Sequence, residues 1–328
     1  MTPSVQLNLP TFTDVEEAAA RLAGHHVVTP LIESTILNER CGGRVFLKAE
    51  CLQRTGSFKF RGAYNAISRL DASGNKKIVA ASSGNHAQGV AEAARMLGFD
   101  ATILMPSDAP RIKVDRVKRS GATIVEYDRR SEDREEILRS LGAKHTAPIV
   151  HPYNNFHVIA GQGTAGLEAA ETMKARGITV DRAVVCAGGG GLLGGMMLAL
   201  HSNFPDCAVH SAEPEGYDDQ KRSHEVGHIV SIQADHDSVC DAIVTPQPGE
   251  MAFAIANGHI ASGLVVSDEE ALEAVAFAFN ELKLVVEPGG AVALAAILSG
   301  KIDVRGENIL ATLSGGNIDP AMLARALA

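Results

Sequence analysis

The sequence of 328 residues predicts an α/β protein with open, mostly parallel sheets covered by helices on both faces. Two observations carry this. Short, continuously apolar runs such as "KIVAAS", "ATILMP" and "RAVVCA" read as strands buried on both faces, and segments of helical period follow them. Three strands also run straight into turns of small residues, "SSGNH" (82–86), "AGGGGLLGG" (187–195) and "SGGN" (314–317). In parallel sheets, ligands collect at the carboxyl ends of strands.

The elements follow in order. Thr13 and Glu16 read as a capping box ahead of "VEEAAARLAG", with Gly24 placed to end that helix. "KIVAAS" (77–82) is a strand, and "HAQGVAEAARMLG" is a helix ending near Gly98. "ATILMP" (101–106) and "ATIVEY" (122–127) are strands separated by a helix over roughly 110–120. "SEDREEILRSLG" is a helix whose acidic residues gather at its N-terminal end, where the macrodipole favours them. A long helix follows "VIAGQGT", then strand "RAVVCA" and helix "LLGGMMLALH". "SDEEALEAVAFAFNELK" and the segment after "EPGGA" are helices, and "NILATLS" is the last strand. The compact alternation over 77–153 predicts a smaller domain inserted into a larger one made of 1–76 and 154–328.

Composition narrows the function. With 45% hydrophobic residues, the chain can bury a sizeable core. A net charge of -9 argues against nucleic acid as a partner, because phosphate backbones are held by clustered positive charge. The absence of Trp and the 4% aromatic content argue against base-stacking platforms. The N-terminal stretch lacks a basic region followed by an apolar core, and no apolar run is long enough to span a membrane. The five cysteines form no CxxC pair, which predicts reduced thiols and a cytoplasmic setting.

The four consecutive glycines of "AGGGG" let a backbone approach a ligand closely, and the helix that follows adds its positive end. This is an anion cradle, most naturally for phosphate. No Lys-Ser/Thr pair follows, so it is not a Walker loop. It does match G-x-G-x-x-G through Gly189, Gly191 and Gly194, with Glu213 near the place of a ribose-binding acid. A nicotinamide-dependent oxidoreductase is therefore a rival reading, but one that leaves "TGSFKFRGA" (55–63), "SSGNH" and "SGGN" without a task. A phosphate-bearing aldehyde cofactor employs all of them. It needs a lysine for a Schiff base, a phosphate cradle, a partner for a ring nitrogen and a donor for a ring oxygen. Lys59, the glycine loop, Ser314 and Asn85 supply those four types.

Taken together, "GSFKFRGA", "SSGNHAQG", "IAGQGT", "AGGGG", "EPEGYDD", "EPGGA" and "LSGGN" resemble the fold-type II pyridoxal-phosphate enzymes, specifically the serine/threonine dehydratase and serine racemase group. The resemblance spans nearly the whole chain and implies a tryptophan synthase β-like fold of a large domain and a smaller inserted one. It implies that Lys59 holds pyridoxal 5'-phosphate and then acts as general base at Cα. Phe58 flanks that lysine. Gly188, Gly189, Gly190 and Gly191, with Leu192, would bind the phosphate. Asn85 would meet the ring's phenolic oxygen, Ser314 its pyridine nitrogen, and Glu287 would lie near the ring. Ser82, Ser83, Gly84, Asn85 and His86 would grip the substrate α-carboxylate.

The resemblance also implies a reaction. A β-hydroxy amino acid, threonine or serine first, would lose water and release a 2-oxo acid and ammonia. 3-Hydroxyaspartate dehydration and serine racemisation are the alternatives. Ser83 matches the serine that works opposite the lysine in racemases, where many threonine dehydratases carry alanine. Arg134 matches a position able to meet a second substrate carboxylate. Glu213, the Tyr217 carbonyl and Asp219 match the spacing of a divalent-cation site for Mg²⁺, Ca²⁺ or Mn²⁺. "VTPQPGEMAFAI" (244–255) departs from the racemase pattern at a place where substrate contacts arise. The short chain after "LSGGN" argues against an added regulatory domain, and a homodimer is expected.

Overall fold

The computed structural model describes residues 7–82, 84–109, 111–128, 130–233 and 237–328, with residue 112 described by its backbone alone. Its strands are β1 (Leu31–Glu33), β2 (Arg44–Ala49), β3 (Lys77–Ala81), β4 (Asp100–Pro106), β5 (Thr123–Tyr127), β6 (Arg182–Cys186), β7 (Ala208–Pro214), β8 (Ser262–Val266) and β9 (Asn308–Leu313). The first helices are α1 (Phe12–Leu22), α2 (Thr35–Cys41), α3 (Lys59–Ile67), α4 (Asn85–Leu97), α5 (Arg111–Arg119) and α6 (Arg134–His145). Then come α7 (Phe156–Ala175), α8 (Gly191–Asn203), α9 (Asp219–Val226), α10 (Glu250–Ala256), α11 (Asp268–Leu282), α12 (Pro288–Leu298) and α13 (Pro320–Leu327).

The predicted class holds, with two sheets. One has the order β1-β2-β9-β6-β7-β8 and the other β3-β4-β5. All pairings are parallel except β1 with β2, which makes the larger sheet mixed. The period of two is read on both faces of the larger sheet. Val45, Leu47, Val184, Ile309 and Ala311 pack with α11 and α12, while Phe46, Ala183, Val185 and Leu310 pack with α7 and α8. Each large apolar side chain so buried is worth about 1.5–3 kcal/mol. In the smaller sheet, Ile78, Ala80, Ile103 and Met105 face α3 and α4, and Val79, Ala81 and Leu104 face α6. Val79 bridges to Ile149, so the chain returns to this sheet before leaving it.

Two boundaries differ from the sequence expectation. The first helix is capped by Thr11 with Asp14, one pair of acceptors earlier than Thr13 and Glu16. Both pairs satisfy the box spacing, and burial of Val15, Ala18 and Leu22 selects the frame. "VIAGQGT" lies inside α7 rather than before it, because Asn155 caps the helix with bonds from His157 N and Val158 N, both 3.0 Å. The glycines of that motif admit α8: a Cβ on Gly163 would lie 2.7 Å from the Gly195 carbonyl oxygen.

Beneath α3 lies a buried ionic cluster. Arg61 donates to both carboxylate oxygens of Glu50 (2.7 and 2.8 Å) and to both of Glu168 (2.6 and 2.8 Å). Lys48 donates to Glu168 at 2.6 Å, and His26 bonds it at 2.7 Å. Burial alone would raise the Glu168 pKa, but bonds from His26 and Arg61 hold it below the usual carboxylate range.

Candidate active site

The topology puts the carboxyl ends of β2, β9 and β6 side by side, and a cavity of about 360 Å³ opens there. Lys59, Asn85, His86, the glycine loop, Glu287 and Ser314 line it. The turn that delivers Lys59 is unusual: Thr55 and Gly56 both take positive φ (63° and 75°). The two residues before Lys59 are tied to the end of β9, with Ser57 bridging Gly315 and Phe58 N donating to Ser314 O at 3.1 Å. Lysine and serine are thereby held by one backbone junction.

Lys59 Nζ donates to the Pro152 carbonyl at 2.9 Å and lies 4.9 Å from the centre of the Phe58 ring. Among the described residues no carboxylate pairs with it, and desolvation lowers its pKa to about 8. That is the state a Schiff-base lysine requires. Asn85 donates to Glu287 at 2.5 Å and accepts from Asn317 at 2.7 Å. Burial raises the Glu287 pKa to about 7, against the Asn85 bond. His86 bonds the Val150 carbonyl at 2.8 Å, which assigns the proton to Nε2. Burial, then the charge of Lys59, lowers its pKa to about 3, so the ring stays neutral.

The glycine loop fits a phosphate. Its carbonyls are committed elsewhere: Gly188 O accepts from Gln220 Nε2 (2.7 Å), Gly189 O from Gly249 N (3.0 Å) and Gly190 O from Gly194 N (2.8 Å). Among the described residues, the N–H groups of 188–192 donate to no backbone carbonyl. Side chains are excluded, since a Cβ on Gly189 would lie 2.3 Å from the Tyr153 ring. Gly190 has φ 85°. Leu192 also lines the cavity. The dinucleotide reading fares worse. A Cβ on Gly194 would find its nearest neighbour at 3.5 Å, so the third glycine of that fingerprint is not needed for packing. Glu213 is wholly buried, and its oxygens accept from Gln220 N (2.7 Å) and Lys221 N (2.9 Å).

The remaining expected residues are placed as follows. Ser82 and Gly84 line the cavity, and Gly84 N donates to Ser82 Oγ at 3.1 Å. Ser83 lies outside the described residues. Arg134, the first residue of α6, reaches the cavity wall. One guanidinium nitrogen pairs with Glu135 at 3.3 Å, while Nε is buried without a partner. Val244, Thr245 and Pro246 line the cavity, which puts the unusual 244–255 segment against the ligand space.

Glu213 and Asp219 are both fully buried, and Tyr217 stands in the turn between them. Burial, then the Asp219 charge, raises the Glu213 pKa well above the carboxylate range, and burial raises Asp219 to about 7. Asp219 Oδ2 has no partner. Two buried carboxyls with a spare oxygen fit a cation in chemistry, although among the described residues no cluster of three His, Cys, Asp or Glu is placed to hold one.

Sequence reasoning missed several residues. Tyr153 walls the glycine loop, Gln220 holds it, and Lys113 of α5 forms an ion pair with Asp241 at the cavity edge. No local signal marks these, because the partners lie 32 and 128 residues apart.

The family model described as pyridoxal-phosphate dependent enzyme matches residues 22–315. An L-threo-3-hydroxyaspartate ammonia-lyase from Pseudomonas is 44% identical over 95% of this chain and 97% of its own length. An L-threonine ammonia-lyase from Thermotoga maritima is 38% identical over 96% of this chain and 77% of its own. The solved structure of maize serine racemase superposes with a TM-score of 0.91 at 33% identity, covering 98% of this chain and 97% of that one.

Proposed function

The chain belongs to the pyridoxal-phosphate dependent enzyme family, and from that premise we propose that it is an ammonia-lyase acting on a β-hydroxy amino acid, with 3-hydroxyaspartate preferred. The observation that carries the substrate choice is Arg134. Arg134 lines the cavity and its Nε has no partner, so its guanidinium keeps donor capacity for a carboxylate that threonine and serine lack. This moves the preference away from threonine and serine. The similarity to a 3-hydroxyaspartate enzyme supports the same choice.

Lys59 would hold the cofactor, the Gly188–Gly191 loop with Leu192 its phosphate, Asn85 and Glu287 the ring edge, and Ser314 the ring nitrogen. When bound, the cofactor withdraws electrons from the substrate Cα and so makes its proton removable. Lys59, desolvated and therefore easily neutral, takes that proton. Ser82, Gly84 and the start of α4 orient the α-carboxylate, and neutral His86 adds no charge there. The β-hydroxyl leaves as water, and a later water replaces nitrogen at C2, so one substrate becomes one 2-oxo acid and one ammonia. Ser83 is proposed as the acid on the opposite face, which would permit racemisation beside elimination. Glu213, Asp219 and the Tyr217 carbonyl would hold a structural divalent cation.

Residues 77–153 would act as a small domain, and the chain as a cytoplasmic homodimer. The exposed Val27, Val28, Leu52 and Val285 offer apolar surface for a second copy. Among the described residues no helix is long and apolar enough to cross a membrane.

The test is a substrate panel on the purified holoenzyme, following ammonia, 2-oxo acid and product chirality. L-threo-3-hydroxyaspartate should give the highest kcat/KM. Arg134→Gln should lower that value by about tenfold to a hundredfold, the worth of a charge-assisted bond, and leave serine turnover unchanged. Equal losses on both substrates would remove Arg134 from recognition, and a threonine preference would overturn the substrate choice.

A further inference from the structure

Gln220 has no part in the reaction as drawn above, yet it is completely buried against the glycine loop. It is the second residue of α9. Its backbone N–H donates to Glu213 Oε1 at 2.7 Å, and its side-chain Nε2 donates to the Gly188 carbonyl at 2.7 Å. A Cβ on Gly190 would lie 2.7 Å from that same Nε2, so the amide sits directly behind the loop. The amide's orientation follows from its partner, since the reverse would set oxygen against oxygen. Glu213 in turn belongs to β7, whose neighbour β6 runs into the loop, with Cys186 opposite Ala212. The chain of contacts is β7, Glu213, the start of α9, Gln220, and back to the loop.

A trans peptide points its C=O and N–H in opposite directions. The bond that pulls Gly188 O toward Gln220 therefore aims Gly189 N–H the other way, toward the cavity. The Gly249 N bond to Gly189 O fixes the next peptide, and with it the direction of Gly190 N–H. Glycine peptides rotate easily, and an untethered one could present an oxygen to an incoming anion. We propose that Gln220 is a positioning residue that fixes the polarity of the phosphate cradle, and so sets affinity for the cofactor's phosphate from a helix outside the cavity. This rests on the glycine loop being the phosphate site.

The experiment resolves the holoenzyme, then retitrates wild type, Gln220→Ala and Gln220→Met with pyridoxal phosphate and separately with pyridoxal, following the visible Schiff-base band. Met keeps the side-chain volume and loses the donor, so it remains informative even if the alanine variant folds poorly. Both variants should bind pyridoxal phosphate about tenfold to a hundredfold more weakly, as expected for a lost bond to a buried acceptor. Binding of pyridoxal, which has no phosphate, should be unchanged. Wild-type affinity in Gln220→Met would show that the side chain only fills space and would overturn the proposal. Equal weakening for both ligands would do the same. A wild-type protein that forms no band with either ligand would sink the cofactor reading itself, and this inference with it.

Discussion

Arg61→Met should destabilise the protein about as much as a large-to-small change in its apolar core. Arg61 is wholly buried and spends its guanidinium on Glu50, Glu168 and Thr164 Oγ1, the last at 3.1 Å. Arg61 and Lys48 balance Glu50 and Glu168; without Arg61, two buried carboxylates face one lysine, with His26 at the edge. Breaking a buried pair by removing one partner costs about 3–5 kcal/mol, because a charge is left without compensation. That is a large share of a total stability of about 5–15 kcal/mol. In a chain of this size each kcal/mol moves the midpoint by about 1.5 °C, so a fall of about 4–7 °C is expected. The assay is thermal unfolding of the holoenzyme, with Arg61→Met compared to Arg61→Met/Glu50→Gln. The second change leaves one buried carboxylate, Glu168, facing Lys48 and should recover about half of the loss. A midpoint within 3 °C of wild type, or a double variant less stable than the single, would refute the reasoning. Since Arg61 lies two residues beyond Lys59 on α3, the single variant should also lose cofactor at lower temperature.

Three further outcomes follow from the geometry. With the neutral amine of Lys59 as the proposed nucleophile, uptake of pyridoxal phosphate by the resolved enzyme should quicken as pH rises and level off above about 8; a flat profile between pH 6 and 9, measured by stopped-flow absorbance, would contradict its lowered pKa. Gly189→Ala should yield folded protein without the visible band, because its Cβ collides with Tyr153 at 2.3 Å; circular dichroism and absorbance together check this. For Asp219 the folded pKa is raised to about 7, so without a cation the protein gives up stability as pH rises through that value. Excess Mg²⁺ should therefore raise the unfolding midpoint more at pH 8 than at pH 6, and Asp219→Asn should abolish the difference; an equal shift at both pH values would count against a cation at this pair.

What the sequence made legible was local. Lys59 in its turn, the four glycines and the "SGGN" turn each announce themselves within a few residues, and the structure gathers them at three adjacent strand ends. Arg134 was legible only through family resemblance, since by composition it sits in a charged helix start. The cap at Thr11 escaped because two overlapping pairs fit one motif, and only tertiary burial chooses between them. The three-residue strand β1 and the seven-residue helix α10 carry too few residues for a period to show. The Arg61 cluster could not be foreseen: its carboxylates lie 11 and 107 residues away, and nothing near Glu168 distinguishes it from a surface glutamate.

The place of β9 has a consequence for biosynthesis. This strand is the last of the described strands to be made, yet it stands between β2, with six paired residues, and β6, with three. While residues 308–313 are still inside the ribosome, β1-β2 and β6-β7-β8 are two separate fragments. Each then exposes a bare edge where β9 will dock, the kind of edge that recruits strands from other molecules. Ser314 emerges immediately after. From the making of the glycine loop until Ser314 emerges, the nascent chain therefore carries its lysine and that loop as an unassembled pair, and closure of the sheet and completion of the proposed cofactor site are one late event.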